Sequence, residues 1–216
     1  SFISHIEIRK IFSLLNNENI NYILMRNVDD ELPSKLKYDK DIDILVHKKD
    51  KKKLINFFKL HQFKEVRHPF KNDIYLYGAD RYSFQYNSHN KILFDLNFQI
   101  LVRSIEAGQW IPLDNCIQTS AWDSKRFVKK SGNFGYWTYG FEDELVTLIA
   151  RCVFDKKEFQ RGYIERIKSL LALVDMEEVS IKLCLIFFKF TPYLIKLIKQ
   201  NRFQEIINSY FEFREY

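Results

Sequence analysis

The chain's 216 residues allow one large domain or two small ones, and a 46% apolar share with 20 Phe supports a buried core. A net charge of +6 favours anionic partners: nucleotides, phosphorylated glycans, nucleic acid or an acidic membrane surface. The widely spaced Cys116, Cys152 and Cys184 argue against a disulfide framework or zinc site, and the chain has neither a P-loop nor a Rossmann glycine pattern.

Along residues 2–17, Ile6, Ile8, Ile11, Phe12 and Leu15 recur at helical spacing and Asn16-Asn17 closes the run. Tyr22-Ile23-Leu24-Met25 predicts a strand. Asp41-Ile42-Asp43-Ile44-Leu45-Val46 predicts another, with Asp41 and Asp43 on one face and Ile42, Ile44 and Val46 on the other. Residues 48–60 predict a basic helix burying Leu54, Ile55, Phe57 and Phe58, its lysines forming a solvated face. Short strands are expected at Phe63–Arg67, Asp73–Tyr77 and Tyr82–Tyr86. Ser88-His89-Asn90 then turns into a strand over 91–98 that repeats the acidic design: Phe94, Leu96 and Phe98 inward, Asp95 and Asn97 outward. Residues 101–139 read mostly as connections, with a Lys129-Lys130-Ser131-Gly132 turn and one short strand, Tyr136–Tyr139. From Phe141 the chain reads as helix. Glu142, Asp143 and Glu144 suit the positive end of a helix dipole, and Leu145, Leu148, Ile149 and Cys152 form its apolar face. A junction at 155–163 carries Lys156, Lys157 and Arg161. The lysines interrupting 181–199 exclude a membrane-spanning helix, which needs about 20 nearly uncharged residues. Lys182, Lys189 and Lys196 recur every seven residues, a pattern common to bundle helices and helices lying on an anionic membrane.

Two carboxylates at i and i+2 on a strand, with Cβ atoms about 6–7 Å apart, can converge on a hard cation such as Mg²⁺. A third on a second strand completes a plausible two-metal site for displacement at phosphorus. The competing reading is a solvated strand face. Asp is disfavoured inside strands, so its recurrence in two β-prone runs favours the site.

The order helix, strand, turn, hDhDh strand and third-Asp strand over residues 3–100 resembles the nucleotidyltransferase-fold superfamily. That group includes DNA polymerase beta, aminoglycoside nucleotidyltransferases and the LicD/fukutin-type phosphotransferases. The combination of Arg26-Asn27, Leu32-Pro33 and DIDILV resembles a bacterial branch associated with capsule and surface-polysaccharide genes. The resemblance implies an α+β fold: a mixed sheet with flanking helices over residues 1–139, then a helical bundle over 140–216. It implies Mg²⁺ or Mn²⁺ held by Asp41, Asp43 and Asp95, with Asp95 also the general base. Family members carry a glycine turn where this chain has Met25-Arg26-Asn27. Arg26 is therefore read either as a phosphate clamp beside Asn27 or as a surface cation paired with Asp29 or Asp30. Lys156 and Arg161 are read either as reaching the donor phosphate or as loop charges.

The implied activity is a Mg²⁺-dependent transfer of a nucleotidyl group, or of a phospho-alditol or phosphocholine-type group, from a nucleotide or CDP-linked donor to the hydroxyl of a glycan or other acceptor. The alternative is a non-catalytic binding module of a larger polysaccharide polymerase. Nucleic acid is disfavoured as a partner, since no strong aromatic-plus-basic groove pattern is present. The chain opens on Ser1, so a larger multidomain protein is expected. The expected setting is cytoplasmic, with peripheral contact to the inner face of an anionic membrane.

Overall fold

The computed structural model describes residues 2–28, 31–38, 40–66, 84–105, 108–132 and 134–215. In chain order these form β1 (Phe2–Ile3), α1 (His5–Asn17), β2 (Tyr22–Leu24), β3 (Leu36–Lys37), β4 (Asp41–Val46), α2 (Lys51–Leu60), β5 (Lys64–Val66), β6 (Phe84–Asn87), β7 (Ile92–Asn97), β8 (Leu101–Arg103) and β9 (Trp110–Pro112). They continue as α3 (Asn115–Asp123), β10 (Arg126–Lys129), β11 (Gly135–Thr138), α4 (Phe141–Ala150), α5 (Arg161–Leu171), α6 (Met176–Phe187), α7 (Thr191–Lys199) and α8 (Phe203–Glu212). The chain divides into two compact units, residues 1–100 with 125–139, and residues 101–124 with 140–216.

The first unit is a seven-stranded mixed sheet in the order β10-β11-β2-β4-β7-β6-β5. Strand alternation decides which face is dry. Ile42, Ile44 and Val46 of β4 and Ile92, Phe94 and Leu96 of β7 are buried against Ile8, Phe12 and Leu15 of α1 and Leu54, Phe57 and Phe58 of α2. Phe12 anchors this core, with ring contacts to Tyr22, Phe94, Phe134 and Tyr136. The Ser4 hydroxyl accepts from the Ile6 N–H and caps α1. Gly135 lets β11 approach β10 closely, since a Cβ there would lie 2.8 Å from the Val128 carbonyl oxygen.

The second unit is helical, with a small β8–β9 ribbon. Helix α4 continues as a π-helical turn, Arg151–Lys156, and packs on α5 and α6. Arg166 donates two hydrogen bonds to the Glu144 carboxylate, at 2.6 and 2.7 Å. Asp143 is fully buried and accepts from Ser120, Ser124 and the Lys182 ammonium, the last at 2.9 Å. Breaking a buried pair of this kind costs about 3–5 kcal/mol, because the surviving charge is stranded.

Two sequence expectations are revised. Residues 101–139 are not mostly connections: they hold β8, β9, α3 and β10 besides β11. The acids of the first turn of α4 do more than face a dipole, since Asp143 and Glu144 are fixed by Lys182 and Arg166. Lys182 follows the bundle-helix alternative of the heptad spacing: it is buried, and although burial lowers its basicity, the hydrogen bonds its ammonium donates to Glu178 and Asp143 outweigh this and raise it. The strand expected at Asp73–Tyr77 lies outside the described residues, as do parts of those expected at Phe63–Arg67 and Tyr82–Tyr86.

Candidate active site

The face of β4 opposite the core carries Asp41 and Asp43. Strand β7 runs parallel to β4 with Asp95 directly beside Asp43 and Leu93 beside Asp41. This alignment follows from burial: with Ile44 paired to Leu96 and Ile42 to Phe94 in the dry layer, the residues between them must emerge together on the other face. The three carboxylates each offer an oxygen, all within 4.8 Å of one another. Among the described residues they are the one group of His, Cys, Asp or Glu side chains gathered this closely.

Such crowding has an electrostatic consequence. Burial, the adjacent Asp43 charge and the more distant Asp41 charge push the Asp95 pKa up to about 8, against an opposing pull from Arg26. Without a cation, the hydrogen-bonded Asp43–Asp95 pair therefore holds a proton more readily than isolated carboxylates do.

Arg26 supplies the nearby positive charge. Its Nη1 lies 2.7 Å from Asp43 Oδ1, with both side chains largely shielded from solvent. The Met25 N–H donates to the Asp43 carbonyl at 2.9 Å, extending the β2–β4 pairing to the site's edge. The next residue, Arg26, turns away at φ +60°, the left-handed region that favours glycine. The turn thus keeps a glycine-like backbone without glycine. The strain of about 1–2 kcal/mol is of the same order as a charge-assisted hydrogen bond, worth about 1.5–3 kcal/mol.

Asn27 braces this loop. Its side-chain amide donates to the Leu32 carbonyl and the Tyr136 hydroxyl, and its oxygen accepts from the Leu32 N–H. Asp29 and Asp30, the other partners weighed for Arg26, lie outside the described residues. The sequence reading missed the Arg26–Asp43 pair, although antiparallel pairing of Leu24 with Ile44 sets residue 26 just past Asp43. Lys156 and Arg161 belong to the helical unit. Lys156 ends the π-helical turn, exposed, and Arg161 pairs with Glu165 in an exposed i, i+4 bridge at 2.8 Å.

The donor set suits a hard cation: three carboxylate oxygens, no thiolate or imidazole, and an acid that keeps its proton only while no cation compensates its neighbours. Asp41, Asp43 and Asp95 would hold that ion.

No protein-family model matches the chain, and no curated protein matches its sequence. Among solved structures, the chain is similar to the antibiotic-resistance factor ANT(2'')-Ia, at a TM-score of 0.51 and 12% identity over 92% of this chain and 96% of that one. It also aligns with an antigenic nucleotidyltransferase-like protein from Paracoccidioides brasiliensis, at a TM-score of 0.47 and 14% identity over 92% and 95%. The fold is nucleotidyltransferase-like.

Proposed function

We propose that the protein is a Mg²⁺- or Mn²⁺-dependent transferase that moves a nucleotidyl group from a nucleoside triphosphate, releasing pyrophosphate, or a phospho-alditol or phosphocholine-type group from a CDP-linked donor, releasing CMP, to a hydroxyl acceptor. The observation that carries this reading is the side-by-side placement of Asp43 and Asp95, with Asp41 completing three converging carboxylates. A bound divalent cation supplies charge neutralisation on the donor phosphates.

The chain's own residues supply the rest. Asp41 and Asp43 fix the cation-binding oxygens on a strand whose other face is locked in the core. Asp95 would serve as general base, taking the acceptor hydroxyl's proton as its oxygen attacks the donor phosphorus. Arg26 leaves Asp43 and turns its guanidinium to the donor phosphate, where planar bidentate hydrogen bonding is strongest. This mechanism uses neither Lys156 nor Arg161. The setting we propose is cytoplasmic synthesis of a bacterial surface polysaccharide, with a glycan hydroxyl as acceptor.

The second reading is a non-catalytic nucleotidyltransferase-like module of a larger polymerase. The Arg26 guanidinium resting on Asp43 favours it, because an ion pair there can silence the acidic cluster outright.

A thermal-shift screen of nucleoside triphosphates and CDP-alditols, with and without Mg²⁺, separates the two. At 100-fold excess over Kd a ligand adds about 2.7 kcal/mol, or roughly 5–10 °C for a chain of this size. The transferase reading expects one donor class to give this shift only with Mg²⁺, and expects Asp41→Asn/Asp43→Asn to lose it. No shift with any donor or metal would leave the module reading.

A further inference from the structure

Strand β6 runs against the usual sorting of side chains. Its polar Gln85 and Asn87 face the core and are 5% and 6% exposed, while the aromatic Phe84 and Tyr86 stand half-buried on the opposite face. A slip of one residue would bury both rings and return both amides to water. Asn87 holds the observed register from the inside. Its amide donates to the His61 carbonyl at 3.0 Å, and its oxygen accepts from the His89 and Asn90 N–H groups at 2.9 and 3.2 Å. Two aromatic rings are thus kept out of the core by a fastened polar side chain, and departures of this kind from local sorting gather at functional sites.

The face those rings occupy is the acidic one. Phe84 is the direct neighbour of Asp95 across the β6–β7 ladder, and Tyr86 is the neighbour of Leu93, which stands beside Asp41. Paired residues on adjacent strands project to the same side, and adjacent strands lie about 4.8 Å apart. Two rows therefore cross the sheet, Asp43–Asp95–Phe84 and Asp41–Leu93–Tyr86. Asp95 has a carboxylate on one flank and an aromatic ring on the other.

This division fits two reacting partners. The carboxylate flank suits a cation and the donor phosphates it neutralises. On the transferase reading, from which the next step follows, Asp95 takes the proton of the attacking hydroxyl, so that hydroxyl lies within about 3 Å of it. The ring carrying the hydroxyl then extends over Phe84, one strand spacing away. A pyranose meets both demands: hydroxyls at its edge reach the carboxylate, and the C–H groups of one face rest on an aromatic ring. A nucleobase stacked there would occupy the place from which the hydroxyl must approach.

We infer that Phe84 and Tyr86 form the floor of the acceptor subsite and hold a pyranose by its C–H face, with one ring hydroxyl set against Asp95. Such seating brings the hydroxyl to the base in reactive orientation, which is where positioning lowers a barrier most.

Saturation-transfer NMR of the full chain with Mg²⁺ and the methyl pyranosides of glucose, galactose and mannose tests the contact. Mn²⁺ in place of Mg²⁺ tests its location, because the paramagnetic ion broadens protons close to it. The expected result is saturation of ring C–H protons in at least one pyranoside, and Mn²⁺-dependent broadening of the same sugar. Phe84→Leu/Tyr86→Leu keeps apolar bulk but removes the flat rings, and should weaken that sugar about tenfold or more. Mn²⁺ binding by this variant should match wild type, which shows that its sheet is folded, and Phe84→Trp should retain the sugar. Pyranoside contact unaltered in the leucine variant overturns the inference. So does the absence of contact with every pyranoside in protein that binds Mn²⁺, a result that leaves the cation site standing. Saturation of the cytosine protons of CMP, lost in the leucine variant, would instead give the rings to the donor's base and overturn the acceptor assignment. Pyranoside contact through these rings in a wild-type protein that binds no Mn²⁺ would sink the transferase reading and the acceptor role with it.

Discussion

Asp95→Asn is expected to stabilise the metal-free protein at neutral and alkaline pH while destroying its response to divalent cations. The folded pKa of Asp95, about 8, stands above its ordinary value of 3.8. The stability tied to its proton is therefore complete below about pH 4 and is lost as pH rises through about 8. Asparagine keeps the hydrogen-bond donor toward Asp43 and removes the charge that appears on deprotonation. The Tm difference between variant and wild type should be small at pH 4 and grow toward pH 9, by about 2–4 °C for each kcal/mol recovered. Mn²⁺ should reverse the order, raising the wild-type Tm at pH 8 and leaving the variant unmoved. Thermal melts across pH, with and without Mn²⁺, check both halves. A variant that melts below wild type at every pH would show that Asp95 is not held against its charge.

Arg26→Ala is expected to act in opposite directions on the two ligands. In the resting protein its guanidinium competes for Asp43 at 2.7 Å. A charge-assisted hydrogen bond of about 1.5–3 kcal/mol converts to a competition factor of roughly 10–100. Mn²⁺ should therefore bind the variant at least tenfold more tightly, whereas the donor nucleotide, deprived of its phosphate clamp, should bind about tenfold or more weakly in the presence of metal. Arg26→Lys should restore part of the charge effect and little of the donor affinity, because an ammonium lacks the planar fork. Mn²⁺ titration followed by nucleotide titration of the loaded protein separates the two effects. Equal Mn²⁺ affinity in wild type and Arg26→Ala would remove the competitive role of the guanidinium.

The acidic strands were legible because two periodicities coincide in them. In Asp41–Val46 and Ile92–Asn97, every second residue is a large apolar side chain that only a core accepts, so the intervening Asp residues had to share the other face. Their lateral alignment was not legible, since sheet register depends on which strands become neighbours. The left-handed turn at Arg26 was hidden for a related reason: residue type alone points away from φ +60°, and the Asp43 partner is 17 residues distant. Helix α3 escaped notice because Asn, Thr and Ser are weak helix formers and only Ile117 and Ala121 of its nine residues are buried. Strands β8 and β9 are three residues each, too short for a periodic pattern, and β9 ends in Pro112. The setting of Lys182 was left open between a bundle and a membrane surface because heptad spacing places a residue on a face without saying whether that face meets water. The buried Asp143 on α4 decided it.

The most direct test of the central claim is Mn²⁺ binding followed by electron paramagnetic resonance in wild type and Asp41→Asn/Asp43→Asn. Three carboxylates with ligand oxygens within 4.8 Å of one another should bind Mn²⁺ saturably in the micromolar-to-millimolar range, with loss of that binding in the double variant. Absence of saturable binding by the wild-type protein, or binding undiminished in the variant, would contradict the assignment of Asp41, Asp43 and Asp95 as a cation site.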